Sequence, residues 1–492
     1  MVNRPFRRRT ACVALTCLWL AAIPAAAEQT DDINSLRQEM DELRRRDAET
    51  RRRLEELQQH LDRLQAPPPA AAPVVQPAAP PLTPPAQPAH AAEALDRAVE
   101  ALGQPAPTAG SQDLLATQVG PTRLRLIDLS FDTIATVGTS TATDDEIRQL
   151  EGGVHDPQRR GFTLQSGELA LSGAVDPYFT GQAYIAFTPD EVDLEEAFMT
   201  TTALPLGLQI KAGYFLTEFG RINQVHPHAW EWVDQPVIAT RLFGPEALDS
   251  VGARLGWLTP TPWYSEILIG AANANEGEKT YSFIGDDGVG DRPTVTRPVA
   301  NLGDILYTAR WEHFADIGRN TGLLVGVSGA HGPNNSGTDT DTWLYGADIR
   351  LRWRPAINFR GWPFALWQTE LMKRDYQAAR FSDDDGTIVY GAILRDYGFY
   401  SQGLYGFRYG WAGGLRYEYA TGNGASVGGR SNDPYRDTRH RVSPLLVWHA
   451  TEFSRFRFQY NYDNATHLAD TDAHSVWLAA EIFFGAHAAH KY

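Results

Sequence analysis

The chain has 492 residues, a formal net charge of −16, 13 Trp, 19 Tyr and 21 Phe, and two cysteines, Cys12 and Cys17. The acidic balance excludes nucleic acid as a partner class. With both cysteines near the N-terminus, the rest of the chain has no disulfide or thiolate chemistry available.

Residues 1–27 read as a secretory signal. Arg4, Arg7, Arg8 and Arg9 form a positive n-region, Cys12 to Ile23 an apolar core, and Ala25, Ala26 and Ala27 a small-residue cleavage site. The apolar core is shorter than the ~20 residues a membrane-spanning helix needs. Residues 28–65 carry a heptad seam: Ile33, Leu36, Met40, Leu43, Asp47, Thr50, Leu54, Leu57, Leu61 and Leu64 follow a 3-4-3-4 spacing among charged neighbours. That spacing predicts a coiled coil between chains, with dimer and trimer both open. Residues 66–121 are Pro/Ala-rich, an extended linker with a short helix expected near 91–103.

From residue 122 to 492 the rhythm is that of strands. Sixteen candidates begin near Arg123, Phe162, Tyr178, Val192, Gly207, Asp249, Trp263, Asp304, Thr321, Thr342, Trp362, Tyr397, Trp411, Arg439, Phe453 and His474. Several alternate cleanly. Phe456, Phe458, Tyr460 and Tyr462 oppose Arg455, Arg457, Gln459 and Asn461; Leu415, Tyr417 and Tyr419 oppose Arg416 and Glu418. Connections after odd strands are mostly long and those after even strands short, with Pro189-Asp190 the exception. An even count, one-sided long loops and strands of about ten residues predict an all-β fold, a 16-stranded antiparallel transmembrane β-barrel behind an N-terminal periplasmic α-helical coiled coil. A soluble sandwich or propeller would not require this combination.

The polar faces divide by charge. Asp128, Asp132, Glu168, Asp193 and Glu195 gather on early strands; in a regular strand the adjacent Glu195 and Glu196 point to opposite faces. Lys211, Arg254, Arg350, Arg352, Arg416, Arg455 and Arg457 are candidate wall residues of a pore, joined by Arg374, Arg439 and Arg441. They would either set a field across water or pair with Asp348, Glu370, Glu418 and Glu481.

The segment 216–246 interrupts the strands with a long loop rich in aromatics. Phe219, Trp230, Trp232 and Phe243 predict a loop folded into the barrel, leaving Arg221, His226, His228, Glu231 and Asp234 at a constriction. His226 and His228, with a nearby carboxylate, are candidate ligands for Zn²⁺ or Cu²⁺. The sequence holds no GxSxG, Walker loop or HExxH, so neither an enzyme nor a cofactor is expected.

The order of parts, with VDLEEAFMTT, LQIKAGYFLTEFGR and LWQTELMKR, resembles the phosphate-selective porin O and P family and its dicarboxylate-channel relatives. The resemblance implies a homotrimer of passive channels in the outer membrane of a Gram-negative bacterium, the coiled coil in the periplasm and the loop after the fifth strand narrowing each pore. The chain departs from the family in having only four lysines, Lys211, Lys279, Lys373 and Lys491, so a lysine ladder for phosphate is not visible. The expectation is a porin set in outer-membrane lipid, passing small hydrophilic or charged solutes. The alternatives are a substrate-specific or zinc-related receptor or channel, and a structural tether of the outer membrane.

Overall fold

The computed structural model describes residues 116–119, 122–125, 127–189, 191–274, 281–382, 386 and 388–485. The expected signal peptide, coiled coil and most of the linker lie outside the described residues. At the end of the linker, Ala116–Val119 pairs antiparallel with Thr122–Arg125, just beyond it.

The sixteen strands of the barrel follow in chain order: β1 Asp128–Ser140, β2 Gly161–Asp176, β3 Phe179–Phe187, β4 Val192–Thr201, β5 Leu208–Leu216, β6 Asp249–Leu258, β7 Tyr264–Asn273 and β8 Ile305–Ile317. The second half comprises β9 Thr321–Pro333, β10 Asp341–Trp353, β11 Phe364–Ala378, β12 Ala392–Arg408, β13 Trp411–Asn423, β14 Arg439–Thr451, β15 Ser454–Ala465 and β16 Asp472–Gly485. Each pairs antiparallel with its sequence neighbours, and β16 pairs with β1 from Ser475↔Ser140 to Gly485↔Ser130, closing the barrel. Closure leaves the barrel itself without an unpaired edge. The expected starts agree with this set closely, apart from β1, which begins at Asp128 after the short hairpin, and β12, which begins five residues before Tyr397.

Burial is inverted relative to a water-soluble protein. On β15 the inward set Arg455, Arg457, Gln459, Asn461 and Asp463 is almost fully buried, whereas the outward Phe458 is 49% exposed. Leu446, Leu478 and Ile482 on the flanking strands are similarly exposed. Period-2 alternation places every such residue, because successive side chains of a strand leave opposite faces.

Among the described residues the long connections hold two short α-helices. α1, Asp144–Leu150, lies in the loop after β1 and starts with a capping box between Thr143 and Glu146. α2, Val237–Phe243, lies in the loop after β5, and all seven of its residues are buried. Among the described residues no helix is long and apolar enough to cross a membrane.

Candidate pore constriction and histidine–carboxylate cluster

The loop between β5 and β6, residues 217–248, runs across the inside of the barrel. Its aromatics drive the placement: Phe219, Trp230, Trp232 and Phe243 are all buried, each contributing about 1.5–3 kcal/mol. The wall accommodates them with small residues, and a Cβ at Gly346 of β10 would lie 2.7 Å from the Phe219 ring. Gly220 turns the chain with φ +60 where an added Cβ would meet the Glu370 carboxylate, a conformation that favours glycine.

Polar anchors on several walls fix the path. On β9 and β11, Gly220 N donates to Ser328 Oγ at 3.1 Å, Arg221 N to Glu370 Oε2 at 2.9 Å and Ile222 N to Glu370 Oε1 at 2.8 Å. Further along, Trp232 Nε1 donates to Ser443 O at 3.0 Å, Val233 N to Gln459 Oε1 at 2.8 Å and Val237 N to Glu418 Oε2 at 2.6 Å. Asp234 accepts from Arg441 at 2.9 Å, Gln459 at 2.9 Å and Asn461 at 2.7 Å, and from Arg416. Burial opposes ionisation of Asp234, but Arg416 and Arg441 outweigh it and hold its carboxyl well below the usual range. Asp234, expected to face water, is therefore a buried anchor of the loop.

The wall cations are paired one by one. Arg416 binds Glu418 at 2.7 Å, Arg457 binds Glu481 at 3.0 Å, and Arg455 shares that Glu481 carboxylate. Arg254 reaches Glu218 at 3.0 Å and Lys211 approaches it at 3.5 Å. Arg455 and Arg457 also donate to loop carbonyls, those of His228, Trp230 and Trp232. All of these point inward, yet they face carboxylates and the loop rather than open water, as the desolvation cost of an unpaired buried charge requires. Partial exposure is kept by Arg221, Glu231, Arg350 and Arg352. Arg350 binds Glu231 at 3.3 Å with 30% of its side chain exposed.

The remaining two loop residues meet the acidic strands. His226 Nδ1 lies 2.9 Å from Glu195 Oε2 and 3.1 Å from Glu168 Oε2, and its Nε2 2.8 Å from Glu196 Oε2. His228 Nδ1 lies 3.4 Å from Glu168 Oε1 and 4.0 Å from Asp132 Oδ2. His226 also stacks on Tyr184, with ring centroids 4.4 Å apart. Burial opposes protonation of His226, but Glu168, Glu195 and Glu196 prevail and hold its pKa well above the usual histidine value.

One expectation is corrected here. Glu195 and Glu196 both point inward and are buried, because the β3–β4 register shifts between Tyr184 and Ile185, where the partners change from Glu196 to Leu194. Glu195 is the extra residue of a β-bulge, which re-aims a side chain that strict alternation sends outward. Sequence reasoning also missed His155, from the loop after β1, whose Nε2 lies 2.9 Å from Glu195 Oε1, and it named Glu370 only as a partner for wall arginines, whereas Glu370 accepts from the loop amides of Arg221 and Ile222.

A second lock lies at the loop's far end. Arg241 of α2 pairs with Asp437, which also binds His467 Nδ1 at 3.0 Å. Burial opposes ionisation of Asp437, yet His467 and Arg241 bring its pKa down to about 2. The folded pKa is below the unfolded one, so this stability is present above the ordinary carboxylate range and is lost as pH falls through about 2. Asp437→Asn should lower stability by about 2 kcal/mol at pH 5, and the gap to the unmodified protein should close as pH approaches 2, read from thermal unfolding in detergent.

No family model matches the chain. A protein of Aquifex aeolicus (strain VF5), described only as uncharacterized, is 28% identical over 394 residues, covering 75% of this chain and 79% of the relative. Among solved structures, the outer membrane channel DcaP of Acinetobacter baumannii is 11% identical with a TM-score of 0.47, over 73% of this chain and 97% of that one. An anion-selective porin from Comamonas acidovorans is 8% identical with a TM-score of 0.43, over 73% and 99%. The trimer form of OmpT from Vibrio cholerae is 9% identical with a TM-score of 0.45, over 73% and 99%. At these TM-scores the likeness carries no functional weight; the architecture rests on the chain's own strand pairing.

Proposed function

We propose that this chain is an outer-membrane porin, a passive channel for small hydrophilic or charged solutes, working as a homotrimer with its loop 217–248 as the constriction. The observation that carries the reading is the inside-out barrel: apolar side chains exposed outward all round, ionised groups buried inward, and a long loop held in the lumen. An outward apolar band suits lipid, and a charged interior suits water and polar solute. The test is planar-bilayer recording of the purified full-length protein. Discrete ohmic steps support a channel, and no conductance at any protein concentration refutes it.

The partly exposed Arg350 and Glu231 are the groups best placed to face the solute path. At ~5 Å and the dielectric of water, one charge is worth about 0.8 kcal/mol to a passing ion, about fourfold in relative permeability. Arg350→Gln should therefore shift the reversal potential in a salt gradient toward cations and Glu231→Gln toward anions. Equal, unshifted potentials would place this pair away from the path.

A further inference from the structure

We propose that the cluster where the loop meets β1, β2 and β4 is a binding site for divalent transition metal of the zinc class, with Glu168 bridging two neighbouring positions. One position is framed by Asp132, Glu168 and His228, the other by Glu168, Glu195 and His226, the donor atoms of each set lying within 4.8 Å of one another. Zinc–ligand bonds of ~2.0–2.2 Å in tetrahedral geometry put donor atoms about 3.3 Å apart. Around Glu168 the observed separations are 3.1 Å to His226 and 3.4 Å to His228, with Glu195 2.9 Å from His226. Each oxygen of Glu168 faces a different imidazole, the arrangement of a bridging carboxylate.

Independent support comes from Asp132. Its side chain is inward and the residue is only 8% exposed, yet neither carboxylate oxygen receives a hydrogen bond from the described residues. Leaving a buried carboxylate so is costly, and its Oδ2 is directed at His228. A cation between them would satisfy it.

The surrounding contacts are those a ligand shell needs. His226 Nε2 is held by Glu196 Oε2 at 2.8 Å, leaving Nδ1 as the donor atom toward Glu168 and Glu195. Glu196 is in turn fixed by Leu216 N at 2.9 Å. Glu195 Oε1 is held by His155 at 2.9 Å, leaving Oε2 toward the cluster. Such partners fix the tautomer and orientation of ligands. Nitrogen and oxygen donors in this mixture suit Zn²⁺ better than Mg²⁺ or Ca²⁺, which take oxygen ligands. Because His226 and His228 belong to the loop and the carboxylates to the wall, the ion would staple the loop to the barrel.

The site can be tested without any current recording, so its failure and that of the channel reading are distinguishable. Full-length protein in detergent is stripped with EDTA, equilibrated with ZnCl₂ in excess MgCl₂, and its bound zinc counted by elemental analysis; Co²⁺ loading reports geometry through visible absorption. The expected result is stoichiometric zinc, at least tenfold weaker binding in Asp132→Asn and in His228→Gln, and tetrahedral cobalt bands. Heat-modifiable gel mobility verifies that each variant is a folded barrel. Zinc absent from the unmodified protein, or bound equally by a folded Asp132→Asn/His226→Gln/His228→Gln variant, would overturn the site and leave an ion-pair cluster.

Discussion

Asp234→Ala should lower the stability of the folded protein by about 3–5 kcal/mol, the range for removing one partner of a buried ion pair. Asp234 is 1% exposed and is approached by two guanidinium groups and two amides from β13, β14 and β15. Alanine leaves Arg416 with Glu418, and Arg441 with Glu151 and Asp463, so each cation keeps a carboxylate, while the buried guanidinium and amide donors aimed at Asp234 lose their acceptor. The strand ladder is untouched, and the cost falls on the loop. Protease cleavage within 223–240 should therefore rise in parallel with the drop in unfolding midpoint. Asp234→Asn, which keeps shape and part of the hydrogen bonding, should lose about half as much. A variant as stable and as protease-resistant as the parent would show that Asp234 does not hold the loop.

The strands were legible because a half-buried strand writes its orientation into every second residue. Phe456 to Tyr462 and Arg455 to Asn461 are sorted by alternation alone, and the structure sorts them identically. What lies opposite an inward arginine is not written locally. Arg416 meets Asp234 across 182 positions and Arg441 meets it across 207, so the choice between facing water and facing a carboxylate is decided by the folded loop. The charged walls thus resolve into local pairs, an outcome the desolvation of buried cations favours.

Within the loop, the inward aromatics were readable from composition, since so many large rings do not remain on a solvated excursion. The roles of the polar residues were not. Asp234 and Glu231 have the same charge and lie three positions apart, yet one is buried among arginines and the other keeps partial exposure beside Arg350. His226 and His228 stood out by their spacing, but their carboxylate partners come from strands and depend on a bulge at Glu195 that alternation cannot anticipate. His155 carried no signal, being one histidine in a loop whose path only the structure defines.

The most direct test of the loop as constriction is deletion of residues 223–240 followed by single-channel recording. The barrel should survive, because its pairing and its strand-to-strand ion pairs, Arg310–Asp348, Arg374–Asp396, Arg439–Asp463 and Arg457–Glu481, do not involve the loop. Arg457, which now donates to the carbonyls of Trp230 and Trp232, would donate to water instead. Removing the chain that crosses the lumen widens the path, and conductance should rise about twofold or more with heat-modifiable mobility retained. A folded deletion variant with the conductance of the parent would contradict the account, placing the solute path elsewhere than past this loop.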